Sequence, residues 1–261
     1  MKNIKLKKPN QQSFYNTLSR VVVAGLLSMF SFSSAQAAIA LDRTRAIITG
    51  DEKSISLNVS NENKQLPYLA QGWIENEQGE KIVSPFTVLP PVQRIEPGAK
   101  SQVKIQALPD AANLPQDRES VFYFNLREIP PKSDKPNTLQ IALQTRIKLF
   151  YRPTAIVPTR EQMDNPWQEK LTLTKEGDQY KVNNPTPYNV ILVDAVPKKD
   201  GKTVAGFEPF MIAPKSSQLL GVSASALGNS PVLTYINDYG GRPTLSFNCQ
   251  DNQCQVVAAK K

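Results

Sequence analysis

Few residues in this 261-residue chain combine a type and a spacing that could do chemistry. A Ser-x-x-Lys string, Ser101-Gln102-Val103-Lys104, has the spacing of the nucleophile motif of penicillin-binding enzymes. That motif works from a helix start, where the Ser and Lys meet one turn apart. Here it lies in a stretch that alternates polar and apolar residues. The alternation predicts a strand and sends Ser101 and Lys104 to opposite faces. No Lys-Thr-Gly partner occurs. The chain has no histidine, which excludes an imidazole base and every histidine-ligated metal site. Two cysteines cannot build a four-cysteine zinc site or an iron–sulfur cluster. There is no glycine-rich phosphate loop, and the carboxylates are scattered without a glycosidase-like arrangement.

The cysteines have another reading. Cys249 and Cys254 flank Gln250-Asp251-Asn252-Gln253, a spacing that suits a disulfide across a hairpin in an oxidising compartment. An export signal agrees with it. Lys2, Lys5, Lys7, Lys8 and Arg20 precede the apolar run Val21 to Phe30, and Ala35-Gln36-Ala37 fits a signal-peptidase site. Residues 1–37 therefore read as a cleaved signal peptide, with a retained signal anchor as the alternative. The run falls short of the roughly 20 residues that span a bilayer, so no membrane insertion of the mature chain is expected. Cleavage removes five of the 31 Lys and Arg and none of the 23 Asp and Glu, so the formal charge falls from +8 to +3. The case for nucleic-acid binding goes with it.

What must position any functional side chain is β-structure. Ser54–Ser60, Tyr68–Glu75, Ser101–Gln106 and Val121–Leu126 read as strands, and Thr138–Tyr151 is the longest run. A second series follows in Leu171–Thr174, Tyr180–Val182, Asn189–Val193, Ser217–Leu220, Val232–Ile236 and Thr244–Phe247. No long segment carries a helical stripe, and residues 108–118 hold at most a turn or two of helix. Two stretches of roughly 110 residues with strands every 8–12 predict an all-β chain of two immunoglobulin-like β-sandwiches in series. Prolines between Arg152 and Pro158 mark the boundary, giving domains at 38–157 and 158–261.

In the longest run, Leu139, Ile141 and Leu143 share one face, and no charge occurs until Arg146. By pattern alone this is either a sandwich core face or an exposed edge that templates another chain. Strict alternation puts Lys148 on the face opposite Leu143, unless a bulge intervenes.

The mature sequence resembles the periplasmic chaperones of chaperone–usher pili. The resemblance is carried by Leu41-Asp42-Arg43-Thr44-Arg45, Leu66-Pro67-Tyr68-Leu69-Ala70, the block from Asp117-Arg118-Glu119-Ser120 to Ile129-Pro130-Pro131, Leu139 to Pro153, Asn184-Pro185-Thr186-Pro187-Tyr188, and Tyr235 to Pro243. It implies a boomerang of two sandwiches with a cleft between them, in the periplasm, with no catalysis and no cofactor. Leu139, Ile141 and Leu143 would then be a donor strand that fills the groove of a pilus subunit lacking its last strand. Three such side chains could contribute roughly 5–9 kcal/mol before ordering costs. Arg45 and Lys148 would anchor the subunit's C-terminal carboxylate. Glu119, Arg152 and Asp238 would form an ion-pair network between the domains. The short connection from Pro130 to Asn137 matches chaperones of rod-forming pili. The implied partners are pilins, a tip adhesin and the outer-membrane usher, and an exposed edge of this kind also favours self-association of the free protein. The alternative is an immunoglobulin-like adhesin or fibre component, which should expose an aromatic patch from Trp73 and Trp167.

Overall fold

Period-two alternation becomes strand along most of the chain. The structure, a computed structural model, describes residues 37–257; the predicted leader lies outside the described residues, apart from Ala37 at its end. Among the described residues, no helix is long and apolar enough to cross a membrane.

The first sandwich contains β1 (Ile39–Leu41), β2 (Arg45–Thr49), β3 (Ser54–Asn61), β4 (Tyr68–Glu75), β5 (Lys81–Ile82), β6 (Phe86–Leu89), β7 (Val92–Ile95), β8 (Lys100–Ala107), β9 (Ser120–Ile129) and β10 (Gln144–Arg152). One sheet runs β1-β3-β8-β6. The other runs β2-β10-β9-β4-β5, with β7 also on β4. The chain changes sheet within its first few strands. β1 pairs antiparallel with β3, the chain turns through Asp42-Arg43-Thr44, and β2 then pairs in parallel with β10. Alternate residues of both sheets, including Ile48, Leu57, Phe86, Ile105, Phe124 and Leu149, interdigitate as the core. Residues 109–113 form a single short 3₁₀ turn, in line with the expectation for 108–118.

The second sandwich contains β11 (Thr172–Glu176), β12 (Gln179–Asn184), β13 (Val190–Val196), β14 (Phe210–Ile212), β15 (Ser216–Ser223), β16 (Val232–Ile236), β17 (Thr244–Gln250) and β18 (Gln253–Val256). β17 pairs with β16 through Thr244–Ser246 and with β18 through Phe247–Gln250, so one strand serves both walls of a core built on Leu173, Val182, Leu192, Leu233 and Phe247. Two short helices, α1 (Arg160–Asp164) and α2 (Ala224–Leu227), lie outside the sheets. Thr159 caps α1 with a capping box completed by Gln162.

A third apolar cluster joins the sandwiches: Ile47, Val121 and Phe150 meet Ile191, Val193, Met211 and Ile236. These side chains sit on the outer face of the β2-β10-β9 sheet, so that sheet is buried on both faces at this end. Close approach is also built in at Gly50, whose amide donates to the Arg152 carbonyl at 2.9 Å. A Cβ there would come within 2.7 Å of the Thr154 nitrogen in the interdomain connection.

Two expectations need correction. The run Thr138–Tyr151 is not one strand, because β10 begins only at Gln144. The β9–β10 register shows why. Glu128 faces Leu143, so the next hydrogen-bonded rung would join Pro130 to Ile141, and a proline has no N–H to give. Nor does a bulge separate Leu143 from Lys148: the register is unbroken from Gln144–Arg127 to Tyr151–Ser120. Lys148 reaches its position from the outer face, while Ile147, Leu149 and Tyr151 point into the core.

Candidate functional site

The parallel β2–β10 pairing sets Lys148 directly beside Arg45. Both lie on the outer face near the junction with the second sandwich. They line a cleft of ≈ 300 Å³ together with Thr44, Tyr123, Ile191 and Arg242. Neither cation forms a salt bridge with any described residue, and the buried Nε of Arg45 has no acceptor. Burial disfavours the Arg45 charge, and the carboxylates of Asp238 and Glu119 offset only part of this. For Lys148, burial and then the neighbouring charges of Arg45 and Arg146 hold the amine below its ordinary value. Two half-buried cations side by side, with no salt-bridged anion among the described residues, are an unfavourable arrangement that a carboxylate would relieve.

At the other end of β10 the chain has no second neighbour. β2 covers Lys148 to Arg152 only, and residues 138–143 lie in no strand. Leu139 is 84% exposed, Ile141 66% and Leu143 41%. Three large aliphatic side chains at alternate positions are therefore in water beside an open backbone flank, which excludes the core-face reading of this segment. The segment runs directly into the strand that carries Lys148, while Arg45 stands on the neighbouring strand β2.

Arg152, at the end of β10, joins the sandwiches. Its Nε and Nη2 donate to Glu119 Oε1 at 2.9 and 2.7 Å, and its Nη1 and Nη2 donate to the Asp238 carboxylate at 2.8 and 3.2 Å. Glu119 Oε2 accepts from the backbone and side-chain nitrogens of Asn189, at 2.8 and 3.1 Å. Burial raises the Glu119 carboxyl, against the pull of Arg152 and Asn189. For Arg152, burial opposes the charge, and Asp238 and Glu119 overcome it, so the guanidinium is raised. Sequence reasoning missed Asn189, because an isolated Asn before a strand gives no signal of its partner. It also missed Tyr123, on which the Arg146 guanidinium stacks 3.4 Å from the ring centroid.

The remaining candidates lie elsewhere. Cys249 and Cys254 face each other in the β17–β18 hairpin and are bonded through sulfur. Ser101 and Lys104 both lie in β8, where the Ser101 hydroxyl donates to Gln93 at 2.5 Å and Lys104 is exposed. Trp73 lies beneath Lys81 and Arg127, and Trp167 packs on Tyr188 in the second sandwich, so the two indoles form no common patch.

Comparison with known proteins shows the family. Residues 38–157 match the family described as "Pili and flagellar-assembly chaperone, PapD N-terminal domain", and residues 166–247 match "Pili assembly chaperone PapD, C-terminal domain". The chain is 55% identical over 239 residues to the probable fimbrial chaperone YfcS of Escherichia coli K12, covering 92% of this chain and 93% of that protein. It is 51% identical over 244 residues to the chaperone protein PapD of Escherichia coli, covering 93% and 100%. Among solved structures, the Salmonella enterica SafA pilin in complex with the SafB chaperone matches with a TM-score of 0.67 and 26% identity, over 83% of this chain and 99% of that one. With two immunoglobulin-like domains and both family signatures in order along it, the chain belongs to the PapD family and is a pilus-assembly chaperone of the chaperone–usher pathway.

Proposed function

We propose that this chaperone captures pilus subunits by lending them residues 139–143 as a temporary strand, and that Arg45 and Lys148 hold the subunit's C-terminal carboxylate. The observation that carries this reading is the exposed triplet Leu139, Ile141 and Leu143 on the same chain as an unpaired cationic cleft. A subunit that lacks its final strand has a groove lined with apolar side chains and bordered by unpaired backbone. The triplet fills such a groove, and the open flank supplies the missing hydrogen bonds. A carboxylate between Arg45 and Lys148 fixes which triplet residue enters which part of the groove.

The protein acts in this reading as a binding module with no reaction of its own, in the periplasm, after removal of residues 1–37. The leader pattern and the Cys249–Cys254 bond in a two-cysteine chain support that location. Subunits are then passed to the outer-membrane usher. The first domain is taken as residues 38–157 and the second as 158–261, with Glu119, Arg152 and Asp238 setting the angle between them.

Periplasmic co-expression with a pilin tests the reading. The chaperone should co-purify one-to-one with a subunit that is degraded when expressed alone. A subunit recovered in equal yield with and without the chaperone overturns it.

A further inference from the structure

Glu128 is a buried carboxylate that neither the cationic cleft nor the ion-pair network uses. It is 5% exposed and lies on the core side of β9, next to the point where residues 138–143 leave the sheet. Its Oε2 accepts from the Ile39 amide at 3.0 Å, and its Oε1 accepts from the Leu143 amide at 3.3 Å. Its own amide donates to the Leu143 carbonyl at 3.0 Å. In a regular antiparallel rung, the Leu143 N–H would return to the Glu128 carbonyl. Here the side chain takes that N–H instead. Ile39 begins β1, the edge strand of one sheet, and Leu143 immediately precedes β10 in the other. One carboxylate therefore closes the gap between two sheets at the root of the lent segment.

We infer that Glu128 is a positioning residue that fixes the backbone of Leu143, and so sets the phase of Leu139, Ile141 and Leu143 relative to the cleft at Arg45 and Lys148. The inference rests on the lending role proposed above. A subunit engages two places at once: a carboxylate site at Lys148 and an apolar triplet that ends five residues earlier. The chain from Lys148 back to Gln144 is held by the β9 ladder, and beyond it the Glu128 amide still reaches the Leu143 carbonyl. Without the side-chain tether, one backbone bond to its carbonyl would be all that holds Leu143, and the triplet would be ordered less firmly before each encounter. With both amides bound by one buried side chain, the root of the segment is already in place. The Glu128 side chain suits this task because each of its two oxygens accepts one N–H. A glutamine of the same size would satisfy one amide and confront the other with an N–H₂ group.

The test uses the full mature chain as wild type, Glu128→Gln, Glu128→Leu and Lys148→Ala. Amide hydrogen exchange is read at Leu143 and Ile39 by NMR, and a denatured pilin is diluted into each chaperone to measure the yield of one-to-one complex. The expected result is protection of both amides in the wild type. In Glu128→Gln, exchange at one or both should be about tenfold faster, and capture about tenfold lower, at unchanged far-UV circular dichroism. Glu128→Leu should be more severe. Wild-type capture by folded Glu128→Gln overturns the inference, as does an unprotected Leu143 amide in the wild type, a measurement that needs no variant. If the wild type captures and Lys148→Ala does not, the lending role stands whatever Glu128 does. If the wild type captures nothing, that role fails, while the exchange data still decide whether the tether exists.

Discussion

Arg45 and Lys148 stand side by side in parallel register, partly removed from water and with no acceptor between them. Burial disfavours both charges in the free protein, and in the proposed role an incoming carboxylate would relieve this. Lys148→Met should therefore raise the stability of the free chaperone by about 1 kcal/mol while abolishing capture, read by chemical denaturation and pilin co-purification. A fall in stability with capture intact would refute the anchor role. Arg45→Ala should lower complex yield at least about tenfold without unfolding the chain. The pH dependence follows from the lowered amine of Lys148. Between that value and the ordinary 10.5, the folded chain binds fewer protons at this residue than the unfolded chain. This group's contribution to stability then rises with pH. Capture should fall as pH rises through the lowered value, and pilin-binding titrations between neutral and alkaline pH can follow it.

The segment that ends at Leu143 is exposed because its neighbours cannot pair with it. Pro130 removes the donor for the next rung, and the Glu128 side chain takes the Leu143 N–H. The outcome is a β-prone stretch held at the sheet's edge without belonging to it. Leu143→Glu should keep the fold and sharply reduce complex yield, because a charge would enter an apolar groove. Unchanged yield would remove Leu143 from the interface. The β17–β18 hairpin responds differently. Its disulfide closes a very short loop, so the double variant Cys249→Ala, Cys254→Ala should cost about 2 kcal/mol and lower only the second sandwich's melting transition. Alternation in the sequence marks most strands well, yet it extended β10 six residues too far, since alternation reports side-chain faces and says nothing of a partner's missing N–H.

At the scale of the whole molecule, the two sandwiches are joined by an apolar cluster around Val121, Phe150 and Ile191 and by the Arg152 network. Arg152 is in the first sandwich, Asp238 in the second, and Glu119 takes hydrogen bonds from both sides through Asn189. A backbone bond from the Glu119 amide to the Pro187 carbonyl, at 2.9 Å, adds to the joint. Buried ion pairs fix geometry more dependably than they add stability. Asp238→Asn should therefore change the small-angle scattering profile, as the angle between the sandwiches loosens, while each sandwich melts nearly as in the wild type. Superimposable scattering curves would refute the angle-setting role.

Strand periodicity, the absence of histidine, the paired cysteines and the uncharged alternation before Arg146 are all local properties, so the chain alone determined the all-β class, the hairpin spacing and a segment fit for pairing. Resemblance drew attention to Arg45, Lys148, Glu119, Arg152 and Asp238, which on pattern alone would pass as solvated surface charges. Their proximity depends on the sheet change between β1 and β2, the parallel β2–β10 pairing and the packing of one sandwich on the other. Asn189 and Glu128 were not legible at all. Which N–H meets which carboxylate at a sequence separation of 70 or 89 is fixed only when the sheets close on each other, because hydrogen bonds need contact and sequence patterns describe faces.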